Sequence, residues 1–596
     1  MLDHRVYRAA FLPALVALFV LAFSLSDPPR ARTTRLAPLA FDAGRAFTSL
    51  RELARTFPDR RPGSTGDARL ADRVAAYFRS TGFAKGSGVR REYFPATTIE
   101  GKTELENVVA TRQGLSSRTI VVLAHRDAVK GPAEAELSGT AALLELARLL
   151  ADRDLAKTVV LASVSGGSGG FAGAQEAAER APGPVEAVLV LGNLAGTSER
   201  RPFVVPWAGG GAPGSYGLER TVRVALRSEL GVSPGRVRAS VQGIRRALSL
   251  TLSEQGVVNG PGDLPAVLIS SSGERRPAAD EPVELARLEG FGRGTLRALT
   301  AALEAPGRDP FPRGDGIVAL KRLVPTWAIR LVVLALLLPA LLTAFDGFFR
   351  VRRRGLPMGA WSLWVASFAL PFVFAWLWAR GLVATGAVIA LPAPTAGDIP
   401  ALGGAGWASM ASVPVVAAGV AFGLRPRLVR RLKAATRPTD LASGAAAAAT
   451  GLLLSGLVLA VWLVNPYAAA VLLPAAHAWL LISAPDRRLP RGVAVAGLAF
   501  GLMGPLAIAA YYAQAWGLGP VDALWSTFGI VAGGALSIPA ALAGSGFAAT
   551  LCATVAIVRA RRRIAETATP EPIRTRGPSS YAGPGSLGGT ESALHR

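Results

Sequence analysis

The sequence has one cysteine, Cys552, and four histidines, His4, His125, His477 and His595, in 596 residues. A single cysteine excludes an intrachain disulfide framework and any zinc site built on cysteines. Charged residues are scarce too, at 18%, where water-soluble globular chains carry about 25%. With 51% hydrophobic residues and a mean hydropathy of +0.35, this deficit argues against a chain that is soluble throughout. Acidic residues are the scarcer sign, 41 Asp and Glu against 65 Lys and Arg, a net charge of +24. A nucleic-acid partner would need that excess on one face of a soluble domain. Much of it lies instead beside long apolar runs, so no nucleic-acid partner is expected. Length alone suggests about four domains; the apolar runs revise this to one folded domain plus a membrane domain.

Residues 9–25 are apolar, follow Arg5 and Arg8, and run into Ser26-Asp27-Pro28-Pro29 without a clear small-x-small cleavage site. This reads as a retained signal anchor within residues 1–29. Residues 30–322 contain no run of the roughly 20 apolar residues that a crossing needs. In the region 323–563 apolar runs dominate, with spans expected near 324–345, 359–379, 405–424, 441–463, 467–484, 492–513 and 538–558. Basic clusters follow the first, third, fifth and last of these: Arg350 to Arg354, Arg425 to Arg437, Arg487 to Arg491 and Arg559 to Arg563. Short cytoplasmic loops are enriched in Lys and Arg. Placing all four clusters inside with Arg5 and Arg8 requires eight spans, both termini cytoplasmic and the domain 30–322 outside the plasma membrane, with lipids as partners. Residues 521–538 read as a re-entrant or interfacial segment. Residues 564–596, rich in Gly, Pro, Ser and Thr, read as a disordered cytoplasmic tail.

The outer domain shows helical spacing at 42–56 and 67–83, strand patterns at 89–94 and 107–111, and short apolar runs at 119–124, 158–164, 184–191 and 266–270. Helical segments are expected at 139–151, 172–180 and 284–303. Alternating strand and helix predict an α/β fold with a mostly parallel sheet flanked by helices, followed by an all-α multi-span domain.

The segments PDRRPGSTGDARLADRVAAYFRSTGF, ELENVVATRQG and TIVVLAHRDAVKGPAEAELSGTAALLELARLL, in that order, resemble the zinc aminopeptidases of the M28 peptidase family. The resemblance spans residues 42–305. The layout of the whole chain is similar to two membrane relatives: an endoplasmic reticulum M28 metallopeptidase, and a transamidase subunit whose peptidase-like domain lacks a complete metal site.

The resemblance implies two zinc ions held by two histidines and three carboxylates, with a further carboxylate as general base. Zinc suits neutral imidazole and ionised carboxylate, and it acidifies its bound water. The first ligand and its orienting Asp match His125 and Asp127. The remaining positions fall on Ala135, Gly167, Ser168, Asn193 and the segment Ser271-Ser272-Gly273-Glu274. Between residues 30 and 322 His125 is the only histidine, so no realignment supplies the second. His125 and Asp127 therefore read as relict positions, with no cofactor expected. Substitute zinc ligands, should a site persist, would come from His125, Glu134, Glu136 and Glu274.

Gly166-Gly167-Ser168-Gly169-Gly170 also satisfies the nucleophile-elbow pattern, but no histidine follows it in the outer domain. In the membrane region, Arg330 and Arg380 are candidate sites because intramembrane charge is costly; snorkelling to the interface is the plainer account, and the alternative is a shared anionic contact to a lipid phosphate or to Asp398. His477 reads as a helix-packing residue. The expected function is a multi-pass membrane pseudo-peptidase that binds or scaffolds a peptide or protein ligand. The alternatives are an active membrane-tethered zinc exopeptidase with substitute ligands, and a transporter or lipid-handling membrane domain.

Overall fold

A computed structural model of the chain describes residues 4–34, 40–83, 88–98, 101–167, 170–199, 201–207, 209, 214–235, 237–250, 253–260, 263–388, 403–431, 441, 444–484 and 489–567. The expected tail lies almost wholly outside them.

Among the described residues, the domain expected to lie outside, here termed the outer domain, is built on seven strands: β1 (Val89–Thr98), β2 (Gly101–Arg112), β3 (Ser116–His125), β4 (Lys157–Val164), β5 (Val185–Leu191), β6 (Phe203–Val205) and β7 (Ala266–Ser270). They lie in the order β1-β2-β4-β3-β5-β7-β6. The inner four, β4, β3, β5 and β7, run parallel, while β1, β2 and β6 pair antiparallel at the edges. The sheet is thus mixed, with its parallel part in the centre. Period-two alternation feeds both faces. Ile120, Val122 and Ala124 enter one apolar core with the helices Ala43–Thr56, Thr65–Ser80, Glu134–Leu150 and Leu285–Glu304. Val121 and Leu123 enter the opposite core, under the helices Ala172–Glu179 and Glu254–Asn259. Strands buried on both faces explain the continuous apolar runs in the sequence.

From β3 the chain crosses to β4 on one side and later to β5 on the other. A strand flanked in this way marks a topological switch point, and the crevice beyond its carboxyl end is where open α/β sheets bind ligands. β3 ends at His125. The helix Glu134–Leu150 begins five residues earlier than the spacing predicts. Gly139 lets it approach β5, since a Cβ there would lie 2.4 Å from the Leu191 carbonyl oxygen.

Two fully buried arginines brace this end of the sheet. Arg126 pairs with Asp67 (2.8 Å) and donates to the carbonyls of Glu106 (2.7 Å) and Ser163 (3.1 Å). Arg60 donates to the carbonyls of Pro132 (2.7 Å) and Ala133 (2.8 Å), fixing the turn before the helix.

Among the described residues, seven helices are long and apolar enough to cross a membrane: Arg5–Phe23, Thr326–Arg353, Met358–Ala384, Gly404–Arg431, Gly444–Val464, Arg491–Trp516 and Ile538–Ile564. The expected span at 467–484 is the shorter helix Pro466–Ile482, 17 residues long and about 26 Å at the usual helical rise. The segment expected to be re-entrant forms the helix Pro520–Gly533, 14 residues. At about 21 Å it falls short of the hydrocarbon core. Val351, Val429 and Ile557, beside three basic clusters, pack in one apolar group. The opposite end of the bundle carries the outer domain, through Tyr512 and Trp516 against Leu248 and Leu250. His477 packs helices, as the sequence suggests: Tyr7 Oη lies 2.9 Å from its Nδ1, and its Nε2 is 2.9 Å from the Leu336 carbonyl oxygen.

Arg126→Met should destabilise the outer domain by about 3–5 kcal/mol, because it leaves the buried Asp67 carboxylate without its cation. The midpoint of the urea transition of the full chain in detergent measures this. A near-unchanged midpoint would refute the bracing role.

Candidate functional site

The end of β3 places His125 beneath the crevice. Thr140 Oγ1 donates to the His125 carbonyl oxygen (2.7 Å), tying the strand end to the neighbouring helix. The imidazole Nδ1 lies 2.8 Å from Glu254 Oε1. Glu254 opens the six-residue helix Glu254–Asn259 and is almost fully buried. The sequence reading missed this partner. Its only signal is an acid beside an apolar stretch, and six residues are too few to show a period.

Burial is the largest influence on His125 and pushes the imidazole toward its neutral form. The Glu254 charge and hydrogen bond, followed by the charges of Asp127 and Glu136, more than offset it and raise the pKa from 6.5 to about 9. Glu254 thus favours the protonated form of the ring. Its Nε2 is buried and has no hydrogen-bond partner among the described residues.

Asp127 Oδ1 accepts from the Gly167 N–H (3.0 Å). Gly167 stands where the resemblance implies a catalytic carboxylate. A Cβ at this position would meet His125 Cβ at 2.3 Å, His125 Cγ at 2.5 Å and Glu254 Oε1 at 2.8 Å. The imidazole and Glu254 thus fill the space that a side chain at 167 would need. Arg276 Nη2 donates to the Gly167 carbonyl oxygen (2.9 Å) and closes the loop from the other side.

The other predicted positions separate. Glu136 lines the cavity with His125, its Oε1 3.9 Å from Arg276 Nε. Glu274 lines it too, but it is held by Arg245 and accepts from Gln255 Nε2 (3.2 Å). Glu134, half-buried at the first residue of its helix, is not in the lining. Ala135 is buried in the core. Asn193 accepts from the Gly196 N–H (2.7 Å) and donates to Glu281 Oε1 (3.3 Å). Ser168, and with it the nucleophile-elbow reading, lies outside the described residues. Among the described residues, no three of His, Cys, Asp and Glu gather closely enough to hold a metal ion.

The cavity above His125 measures about 40 Å³, room for water. It shares Glu136, Arg275 and Arg276 with an adjoining groove of about 770 Å³, which reaches Lys130, Ser198 and Glu281.

The two membrane candidates sit at helix ends. Arg330 Nη2 donates to the Leu463 carbonyl oxygen (3.2 Å), in the last turn of Gly444–Val464. Arg380 Nη1 donates to the Ala532 carbonyl oxygen (3.1 Å), at the end of Pro520–Gly533. Asp398, a candidate partner for both, lies outside the described residues. A guanidinium at a helix C-terminus meets carbonyls that lack partners within the helix and complements the helix dipole.

Glu254→Gln should lower the His125 pKa from about 9, since burial then acts with less opposition. The sign for stability follows. A pKa raised in the folded state stabilises the fold fully below pH 6.5, and the contribution fades as pH rises through about 9. Titration of the histidine ring resonances, assigned by His125→Gln, checks the shift. A wild-type value near 6.5 would contradict the pairing.

Residues 107–225 match the family profile described as Peptidase family M28. No curated protein matches the chain. Similar solved structures include the Legionella pneumophila LapA aminopeptidase, 14% identical, covering 45% of this chain and 73% of that one, TM-score 0.36. Another is the Porphyromonas gingivalis glutaminyl cyclase, 18% identical, 44% and 98% covered, TM-score 0.33. A third is BSAP, a zinc aminopeptidase from Bacillus subtilis, 10% identical, 46% and 98% covered, TM-score 0.35. The chain contains an M28 peptidase-like domain, joined to several apolar helices long enough to cross a membrane.

Proposed function

We propose that this is a multi-pass membrane protein whose M28 peptidase-like domain binds a peptide or protein ligand and does not hydrolyse it. The observation that carries this reading is the filling of the space at Gly167 by the His125–Glu254 pair. A dinuclear zinc site needs neutral imidazoles and carboxylates free to turn toward the metals. Here His125 is the only histidine between residues 30 and 322, Glu274 is engaged by Arg245, and Ala135, Gly167 and Asn193 bring no carboxylate. The residues present do not fit a pair of zinc ions, so no hydrolytic step is derived. The groove of about 770 Å³ falls within the size range of ligand sites, and its mixed charges suit the polar backbone and side chains of a peptide.

The chain purified whole in detergent should contain far less than one zinc per molecule by elemental analysis, and should leave aminoacyl substrates intact. Stoichiometric zinc, together with hydrolysis that His125→Ala abolishes, would overturn the proposal in favour of an exopeptidase.

The proposed orientation puts the basic end of the bundle in the cytoplasm and the peptidase-like domain outside the plasma membrane. Its support is the gathering of Val351, Val429 and Ile557 at the end away from the outer domain. In a Cys552→Ser background, Leu115→Cys, on the outer domain's exposed surface, should react with a membrane-impermeant thiol reagent on intact cells. Arg353→Cys should react only after permeabilisation. The reverse pattern would invert the orientation.

A further inference from the structure

The helix Ala239–Ala247 ends against the membrane bundle. The last carbonyls of a helix have no partner within it, and here residues of the membrane domain supply partners around that end. Asn465 Nδ2 donates to the Arg246 carbonyl oxygen (2.8 Å), and the Tyr512 hydroxyl donates to that of Leu248. The Leu250 N–H donates to the Tyr512 hydroxyl (3.3 Å). Tyr511 and Tyr512 lie near the outer-domain end of the membrane helix Arg491–Trp516.

Arg245 stands at the centre of this contact, with its side chain 7% exposed. Its guanidinium donates to the Tyr511 hydroxyl (2.9 Å), to the Leu250 carbonyl oxygen (2.9 Å) and to Glu274. The rings of Tyr511 and Tyr512 flank it, each 5.3 Å away. Glu274 also accepts from Gln255 Nε2 (3.2 Å). Gln255 is the chain neighbour of Glu254, and Glu254 holds His125. A buried path therefore runs from the cavity, through the short helix Glu254–Asn259, to the membrane helix.

From this path we infer that the cavity of the peptidase-like domain and the outer end of the helix Arg491–Trp516 form one coupled unit, in which occupancy of the cavity biases the position of that membrane helix. The physical ground is the cost of an unpaired charge in a low-dielectric interior. A ligand that draws Glu254 away from His125 moves the short helix that also carries Gln255. Glu274 then shifts, and Arg245 must either follow it or lose a charge partner. If Arg245 follows, its contacts with Tyr511 and Leu250 change. Coupling of this kind is reciprocal, so a change at Tyr511 and Tyr512 is felt at Glu254. The inference holds whether the domain binds or hydrolyses its ligand.

Hydrogen exchange of the full chain in lipid nanodiscs, read by mass spectrometry, tests it without a ligand. The double variant Tyr511→Phe/Tyr512→Phe should raise exchange in residues 254–259 by about 5-fold or more, the lower end of typical coupling. Glu254→Gln should raise exchange in residues 511–517 in return. Asp27→Asn removes the Asp27–Arg322 contact, away from the path, and should leave residues 254–259 unchanged. Should the tyrosine variant fail to fold, Arg245→Lys keeps a cation for Glu274 but loses the planar fork that reaches Tyr511. It should move residues 254–259 in the same direction. Unchanged exchange in 254–259 in a folded variant would overturn the inference, as would an equal rise in Asp27→Asn.

Discussion

A guanidinium taken out of water must have its N–H groups met by acceptors, or it destabilises the fold by several kcal/mol, and the architecture of this protein turns on how its arginines are met. Arg126 and Arg60 collect carbonyls and a carboxylate beneath the end of the central strand. Arg276 closes the loop at Gly167. Arg245 binds the outer domain to the membrane bundle. Arg330 and Arg380 cap helices within the bundle. Most of these acceptors are backbone carbonyls, and those of Leu463 and Ala532 lie in the last turns of helices.

The same constraint shapes the crevice. A histidine at the end of a buried strand, with Asp127 and Glu136 nearby, sits in a field that favours its charged form once Glu254 is beside it. The glycine at 167 then follows from packing, since the ring and the carboxylate occupy its would-be side-chain space. On the proposed reading, loss of a side chain at 167 and gain of the Glu254 contact are two aspects of one rearrangement. On the proposed reading, it converts a site of the metal-binding type into an organic ion pair under a ligand-sized groove.

In the bundle, Arg330 and Arg380 meet carbonyls in the last turns of two apolar helices. That contact removes the need for a dedicated anionic partner at either position. It also accounts for both charges by the electrostatics of helix termini.

The sequence by itself determined a good deal. Doubly buried strands write themselves as apolar runs, and so do membrane helices; both were legible, with helix starts displaced by a few residues. The end of a buried strand at His125 was legible, and the lack of a second histidine in 30–322 is a property of composition that no fold can change. What only the tertiary structure decided was who meets whom. Glu254 lies 129 positions from His125 and Tyr511 lies 266 from Arg245, each on an element whose position depends on the packing of everything between. The carbonyls that hold Arg330, Arg380, Arg60 and Arg126 carry no signature at all, because every residue has the same backbone oxygen. Which one is left without a partner is settled only when helices and strands end in space.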